Sequence, residues 1–298
     1  MGEAGILLMQ LITMFFYVGV GWCLCRAKLV TEANSAALTN LLLYVVIPCV
    51  IVQSFYREAS PETTLELLMS LGLSALAVGL AMAVSFLVFR KRPAANFGSS
   101  FSNAGFMGIP LITAVVGESA VFYIAGFVAL LNILQWTYGV YIMTGDRKSI
   151  QVKTILTNPV VLSLAAGLLL FILQIPVPSV VTGALNHMAS MNTPLAMIIL
   201  GTYVAQMNWR ELLLTKSAYA CALVRLVLIP AVTLAVFCLI PGIKTDIKLV
   251  ILIASCTPVG SNIAIFAKQY GGDYKLSVVT VCLSTLLCVA TVPVFYMF

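Results

Sequence analysis

Apolar stretches of about twenty residues follow one another along almost the whole chain, with only short polar connections between them. The pattern predicts helices near 6–25, 36–56, 65–89, 98–116, 119–142, 155–175, 182–205, 212–239, 247–267 and 275–296. Each stretch is long enough to cross a bilayer. The alternation of apolar and polar residues over ten-residue segments that marks an outer-membrane barrel is absent from the sequence. The expected fold is therefore all-α and polytopic, with ten transmembrane helices. Composition agrees: 61% of residues are hydrophobic, 9% are charged, and the mean hydropathy is +1.08, too apolar for a soluble domain.

Charge then orients the helices. With ten spans, the connections on the side of the N-terminus receive Arg57, Lys244 and Lys248. The other side receives Arg26, Lys28, Arg90, Lys91, Arg92, Arg147, Lys148, Lys153, Arg210, Lys216, Lys268 and Lys275. The positive-inside rule places both termini outside the cytoplasm. The net charge of +6 is thus a matter of loop placement and does not point to nucleic acid. The opening MGEAGILLMQ carries Glu3 and no basic residue before the apolar run, unlike a cleaved signal peptide. The eight cysteines fall in apolar segments, with Cys23 and Cys25 at the end of the first, and read as small membrane-helix residues rather than redox or metal sites.

Helix breakers recur at matching places. Pro48 in YVVIPCV is answered by Pro194 in SMNTPLAM, 146 residues later, and Pro110 in FMGIP by Pro258 in SCTPVGSN, 148 later. The turn VGES at 116–119 is answered by YGGD at 270–273. Two sets of five spans follow: 1–142 and 155–298, joined by a cytoplasmic connection at 143–154. Five is odd, so the second set enters the membrane from the opposite side, which makes an inverted repeat.

A proline in mid-membrane removes a backbone donor and clashes with the preceding turn, and lipid cannot replace the lost hydrogen bonds. The fourth span carries Asn103, Gly105, Gly108 and Pro110; the ninth carries Thr257, Pro258, Gly260, Ser261 and Asn262. Such residues also serve as packing kinks. Two breaks in equivalent spans favour binding, because they would set free amides and free carbonyls at the bilayer centre, the first suited to a carboxylate and the second to a cation. Asn103, Gly108, Pro110, Thr257, Pro258, Ser261 and Asn262 are the candidate binding residues. A sodium site near the crossing is open on the same grounds. Asn192 and Thr193, beside Pro194, either reach the central cavity or cap a bend. Asn132 and Gln135, three apart in LLNILQWTYG, share a helix face and either line the cavity or brace a broken helix.

Arg225 in CALVRLVLIP is the one charged residue deep within an expected span. Isolated in hydrocarbon it costs about 3 kcal/mol or far more, so it needs carbonyls, water or a passing anion. Two roles remain open for it, substrate contact and holding the carbonyl end of a broken helix. Because no Asp or Glu lies at comparable depth, proton coupling would need a protonated substrate, and sodium coupling stays open. His187 reads as an interfacial residue, and the RKR run at 90–92 as a cytoplasmic anchor. No phosphate loop, metal-ligand spacing or nucleophile constellation supports an enzyme, and no cofactor is called for.

The halves, the two breaks, and the motifs SNAGFMGIP and TPVGSN resemble the auxin efflux carrier family in its compact prokaryotic form, within the wider group that includes sodium/bile-acid symporters. The resemblance spans nearly the whole chain. It implies ten helices in two inverted repeats, with helices 4 and 9 crossing at the substrate site. It also implies a transport domain from spans 3–5 and 8–10 moving, elevator-like, against a scaffold from spans 1, 2, 6 and 7. Small organic anions such as malonate or malate, carried by a secondary active or facilitative route across the prokaryotic inner membrane, would be the substrates, with lipid and a homodimer as partners. Plant members break their helix with Asn-Pro-Asn, where this chain has Gly-Ile-Pro a turn after Asn103, which argues against auxin itself. A membrane receptor or scaffold with a carrier-like fold is the alternative.

Overall fold

The computed structural model describes residues 3–207, 209–270 and 272–296. Its helices are α1 (Glu3–Arg26), α2 (Glu32–Leu41 continuing through Leu42–Val46 into Ile47–Ser54), α3 (Pro61–Phe89), α4 (Pro93–Ser100), α5 (Ala104–Val115) and α6 (Glu118–Thr144). There follow α7 (Pro159–Leu173), α8 (Ser179–Gln206), α9 (Lys216–Cys238), α10 (Thr245–Cys256), α11 (Asn262–Tyr270) and α12 (Tyr274–Tyr296). Among the described residues seven of them, α1, α2, α3, α6, α8, α9 and α12, are long and apolar enough to span a bilayer, and no sheet forms. The protein is an all-α, multi-pass membrane protein. The fourth and ninth expected spans are each realised as a pair of shorter helices, and the sixth as the fifteen-residue α7, about 22 Å long at 1.5 Å per residue.

Helix starts follow local chemistry. Ser60 and Thr63 form a reciprocal capping box at the head of α3, with Pro61 in the first turn where its missing N–H costs nothing. Asn158 accepts the Val160 amide at 2.9 Å at the head of α7, again just ahead of a proline.

Pro110 behaves differently from the sequence expectation. In α2, α5 and α9, an Ile-Pro pair follows a five-residue π-helical turn: Leu42–Val46 before Pro48, Ala104–Gly108 before Pro110, and Val224–Leu228 before Pro230. The residue preceding each proline donates to the carbonyl five positions back, as Ile109 does to Ala104. The extra residue per turn absorbs the missing donor and makes room for the ring, so the helix runs on. Pro110 therefore does not break its helix. The chain leaves helical geometry earlier, at 101–103, in a stretch without proline. In the ninth span the interruption falls at 257–261 and contains Pro258, as expected.

Two groups of helices are visible in the packing. In one, α1 lies along α8, and α2 packs on α7 and α8. In the other, α3 packs on α4, α6 and α10, while α12 packs on α9, α10 and α11. The α1–α8 contact is backbone against backbone: a Cβ on Gly21 would sit 2.1 Å from the Ile198 carbonyl oxygen, and one on Gly201 2.1 Å from that of Val18. Small residues permit such approach in membranes, where dispersion between closely fitted helices drives association. Phe55 just past the end of α2, Phe122 of α6 and Phe171 of α7 join the groups, with Phe55 and Phe122 centroids 5.1 Å apart. Next to them Lys244 binds Glu62 at 2.6 Å and also Glu66; these two carboxylates hold its ammonium well above the ordinary lysine range.

Candidate functional site

The two interruptions pass each other and pair. The Asn103 amide donates to the Pro258 carbonyl at 2.8 Å and the Gly260 amide to the Phe101 carbonyl at 2.9 Å, so Ser102 and Val259 face each other in an isolated antiparallel bridge. This exchange satisfies backbone that neither lipid nor a continuing helix could serve. Gly260 is required by closeness, since a Cβ there would lie 3.2 Å from both the Phe101 and Ser102 carbonyl oxygens. The Val259 amide finds the Ser284 hydroxyl of α12 at 3.1 Å.

Four half-helix ends converge at this crossing. The carbonyl ends belong to α4 and α10, and Arg225 of α9 serves both. Its Nη1 donates to Ser99 O at 3.0 Å and Ser100 O at 3.5 Å, its Nε to Thr257 O at 3.3 Å, and its Nη2 to Ser255 O. The side chain is 1% exposed. A guanidinium at two negative dipole ends is electrostatically matched, and its planar fork reaches several acceptors at once. Both roles were left open by the sequence, and these contacts fit the structural one, with Arg225 donating to both carbonyl ends.

The amide ends belong to α5 and α11. Here a small cavity of about 30 Å³ is lined by the polar residues Ser102, Asn103, Asn132, Gln135, Ser261 and Asn262. Leu43, Ile47, Val128, Leu131 and Val160 supply its apolar wall, and no acidic residue lines it. Asn103 and Ser102 are 4% exposed, and Asn103 Nδ2 and Ser102 Oγ have no hydrogen-bond partner. Asn262 Nδ2 donates to Gln135 Oε1 at 2.8 Å, Asn132 Nδ2 to Val128 O at 2.9 Å, and Asn158 Nδ2 to Asn132 Oδ1 at 3.4 Å. Unpaired donors beside the first-turn amides of α5 suit an anionic oxygen.

Five of the sequence candidates thus gather at the cavity: Asn103, Ser261, Asn262, Asn132 and Gln135. The others stand apart from it. Thr257 and Pro258 contribute backbone carbonyls to Arg225 and Asn103. Gly108 packs against the Thr257 methyl group, and Pro110 is buried inside α5. Asn192 and Thr193 line a different cavity, nearer the face that carries Arg57. Sequence reasoning passed over Ser102, whose signal was its place next to Asn103, and Ser284, a hydroxyl in the apolar run VCLSTLL.

Two larger cavities flank the crossing. One, about 580 Å³, lies among α2, α5, α6 and α8 and includes Arg57, Thr113 and Asn192. The other, about 390 Å³, lies among α2, α8, α11 and α12 and includes Thr39, Tyr203, Lys268 and Ser261, the last of which also lines the central cavity.

A multi-pass helical protein with a polar site at crossed, interrupted helices suits a membrane carrier. Residues 6–296 match the family described as "Membrane transport protein", and the chain belongs to that family. It is similar to the "Putative malonate transporter" of Rhizobium meliloti (strain 1021), 24% identical over 286 residues that cover 89% of this chain and 88% of that protein. The placement agrees with the resemblance carried by SNAGFMGIP and TPVGSN, and with the lack of a catalytic constellation in the sequence.

Proposed function

We propose that the protein carries a small carboxylate across the prokaryotic inner membrane by alternating access, with the crossing of α4/α5 and α10/α11 as the substrate site. The observation that carries this reading is the polar cavity at the paired interruptions, with unpartnered donors on Asn103 and Ser102 and no acidic side chain. The name of the malonate relative adds a substrate to try first.

In this reading the chain crosses the membrane ten times, as two inverted sets of five. Matching ends support it: α4 ends at Ser100 and α10 at Cys256, 156 residues on, and α6 begins at Glu118 and α12 at Tyr274, again 156 on. The flanking cavities correspond in the same sense, both lying between the two packing groups. The group α3–α6 with α9–α12 acts as the transport domain, and α1, α2, α7 and α8 as the scaffold. Shifting one against the other opens one cavity to the centre while closing the other. Both termini lie outside the cytoplasm, in keeping with the distribution of basic residues.

A counterflow screen of mono- and dicarboxylates in proteoliposomes, repeated under imposed sodium and proton gradients, tests the proposal. Saturable exchange of at least one small carboxylate is expected, falling sharply in Asn103→Ala and Asn262→Ala. Well-folded variants of both residues with unchanged flux would overturn the assignment of the site.

A further inference from the structure

The cavity on the Arg57 face holds a group that the central site does not use. Asn192 is 3% exposed, and neither its Oδ1 nor its Nδ2 has a hydrogen-bond partner. An amide buried with both functions unmet is destabilising, and native proteins rarely leave one so. It stands just past the turn at Met191, two residues before Pro194, and lines a cavity of about 580 Å³, within the size range of small-molecule sites. Arg57 lines the same space. Its guanidinium is steadied over the Phe122 ring at 4.3 Å and by a 2.9 Å bond from Nη2 to Ser119 O, which leaves further N–H donors available. The exposed carboxylate of Glu118 lies on the same wall.

We infer that this cavity is an anion-capture subsite for a small carboxylate whose far end is a neutral group able both to donate and to accept, with the carboxylate on Arg57 and the neutral end on Asn192. The inference rests on the carrier reading above and specifies what approaches from this face. The Asn192 side chain presents an NH2 donor group beside a carbonyl acceptor, so its complement is an amide or a protonated carboxyl, which closes a ring of two hydrogen bonds. Arg57 matches a carboxylate in the usual fork geometry. Glu118 shares the cavity lining with Arg57, so a ligand with a single negative charge fits better than a dianion. A half-protonated dicarboxylate meets all three conditions, and would bring a proton into the protein without any buried acid in the membrane.

The test uses the full-length protein in lipid nanodiscs, with malonamate, monomethyl malonate and acetate as probes in equilibrium binding, and malonate counterflow measured in parallel. Malonamate offers a neutral donor and acceptor, the ester only an acceptor, and acetate neither. The wild type should bind malonamate about tenfold more tightly than the other two, the worth of one well-made hydrogen bond. Asn192→Leu should bring the three probes within about twofold of one another, while Arg57→Gln should weaken all three together. Asn192→Ala provides the same readout should the leucine variant fail to fold. Wild-type binding without preference, or a preference that survives both Asn192 changes, would overturn the subsite. Intact counterflow with an unchanged preference removes the subsite and keeps the carrier. A preference that depends on Asn192, without any counterflow, keeps the subsite and removes the carrier.

Discussion

Replacing Arg225 by Leu is the sharpest test of how the crossing is held. The wild-type side chain serves the carbonyls of Ser99, Ser255 and Thr257, with a longer contact to Ser100, so the change leaves three carbonyls at or just past the ends of two separate helices without a donor. Each orphaned buried acceptor costs about 1–3 kcal/mol, offset in part by no longer desolvating a guanidinium. Breaking comparable buried charged networks from one side costs about 3–5 kcal/mol, which we take as the expected loss. Thermal unfolding of the purified protein in detergent should show a fall on the order of 10 °C. Arg225→Lys should lie between, since an ammonium keeps the charge but cannot span carbonyls of both helices. A leucine variant that melts with the wild type and retains counterflow would refute the reasoning.

Gly260→Ala should destabilise by about 1–3 kcal/mol and reduce flux, because its Cβ would press on the Phe101 and Ser102 carbonyl oxygens at 3.2 Å; melting and counterflow measured together would check this. Gly201→Val should separate α1 from α8 and lower the melting temperature more than Gly260→Ala does, given an approach of 2.1 Å. Pro110→Ala should cost only about 0.4–1 kcal/mol, mainly through the unfolded chain, and a much larger loss would show that the proline shapes the crossing after all. A double-mutant cycle on Asn262 and Gln135, joined at 2.8 Å, should return a coupling of about 0.5–1.5 kcal/mol in stability.

The apolar periodicity was enough to place every long helix, because lipid as solvent leaves few alternatives to a continuous helix. The ninth-span interruption was equally legible in TPVGSN. The fourth was misplaced by a few residues, since Pro110 is the stronger local signal while the π-turn that neutralises it leaves no mark in composition. What does end α4 is the pairing of 101–103 with 258–260, a contact across more than half the chain that no local pattern encodes. Arg225 announced itself by its depth, but its partners are carbonyls, which every residue possesses. Asn192 was noticed beside Pro194 and left between the central cavity and a capping role; only the packing of α2, α5 and α6 shows the separate cavity it lines.

The reach of Arg225 also sets a schedule for biogenesis. Ser99 and Arg225 are 126 residues apart, so α4 enters the membrane long before the side chain that will hold its end has been made. At about 5–20 residues per second, synthesis of the intervening chain takes roughly 6–25 s. Through that interval the nascent chain must keep its polar crossing segment near water, the translocation machinery or other temporary partners, and it can settle at its final depth only once α9 arrives.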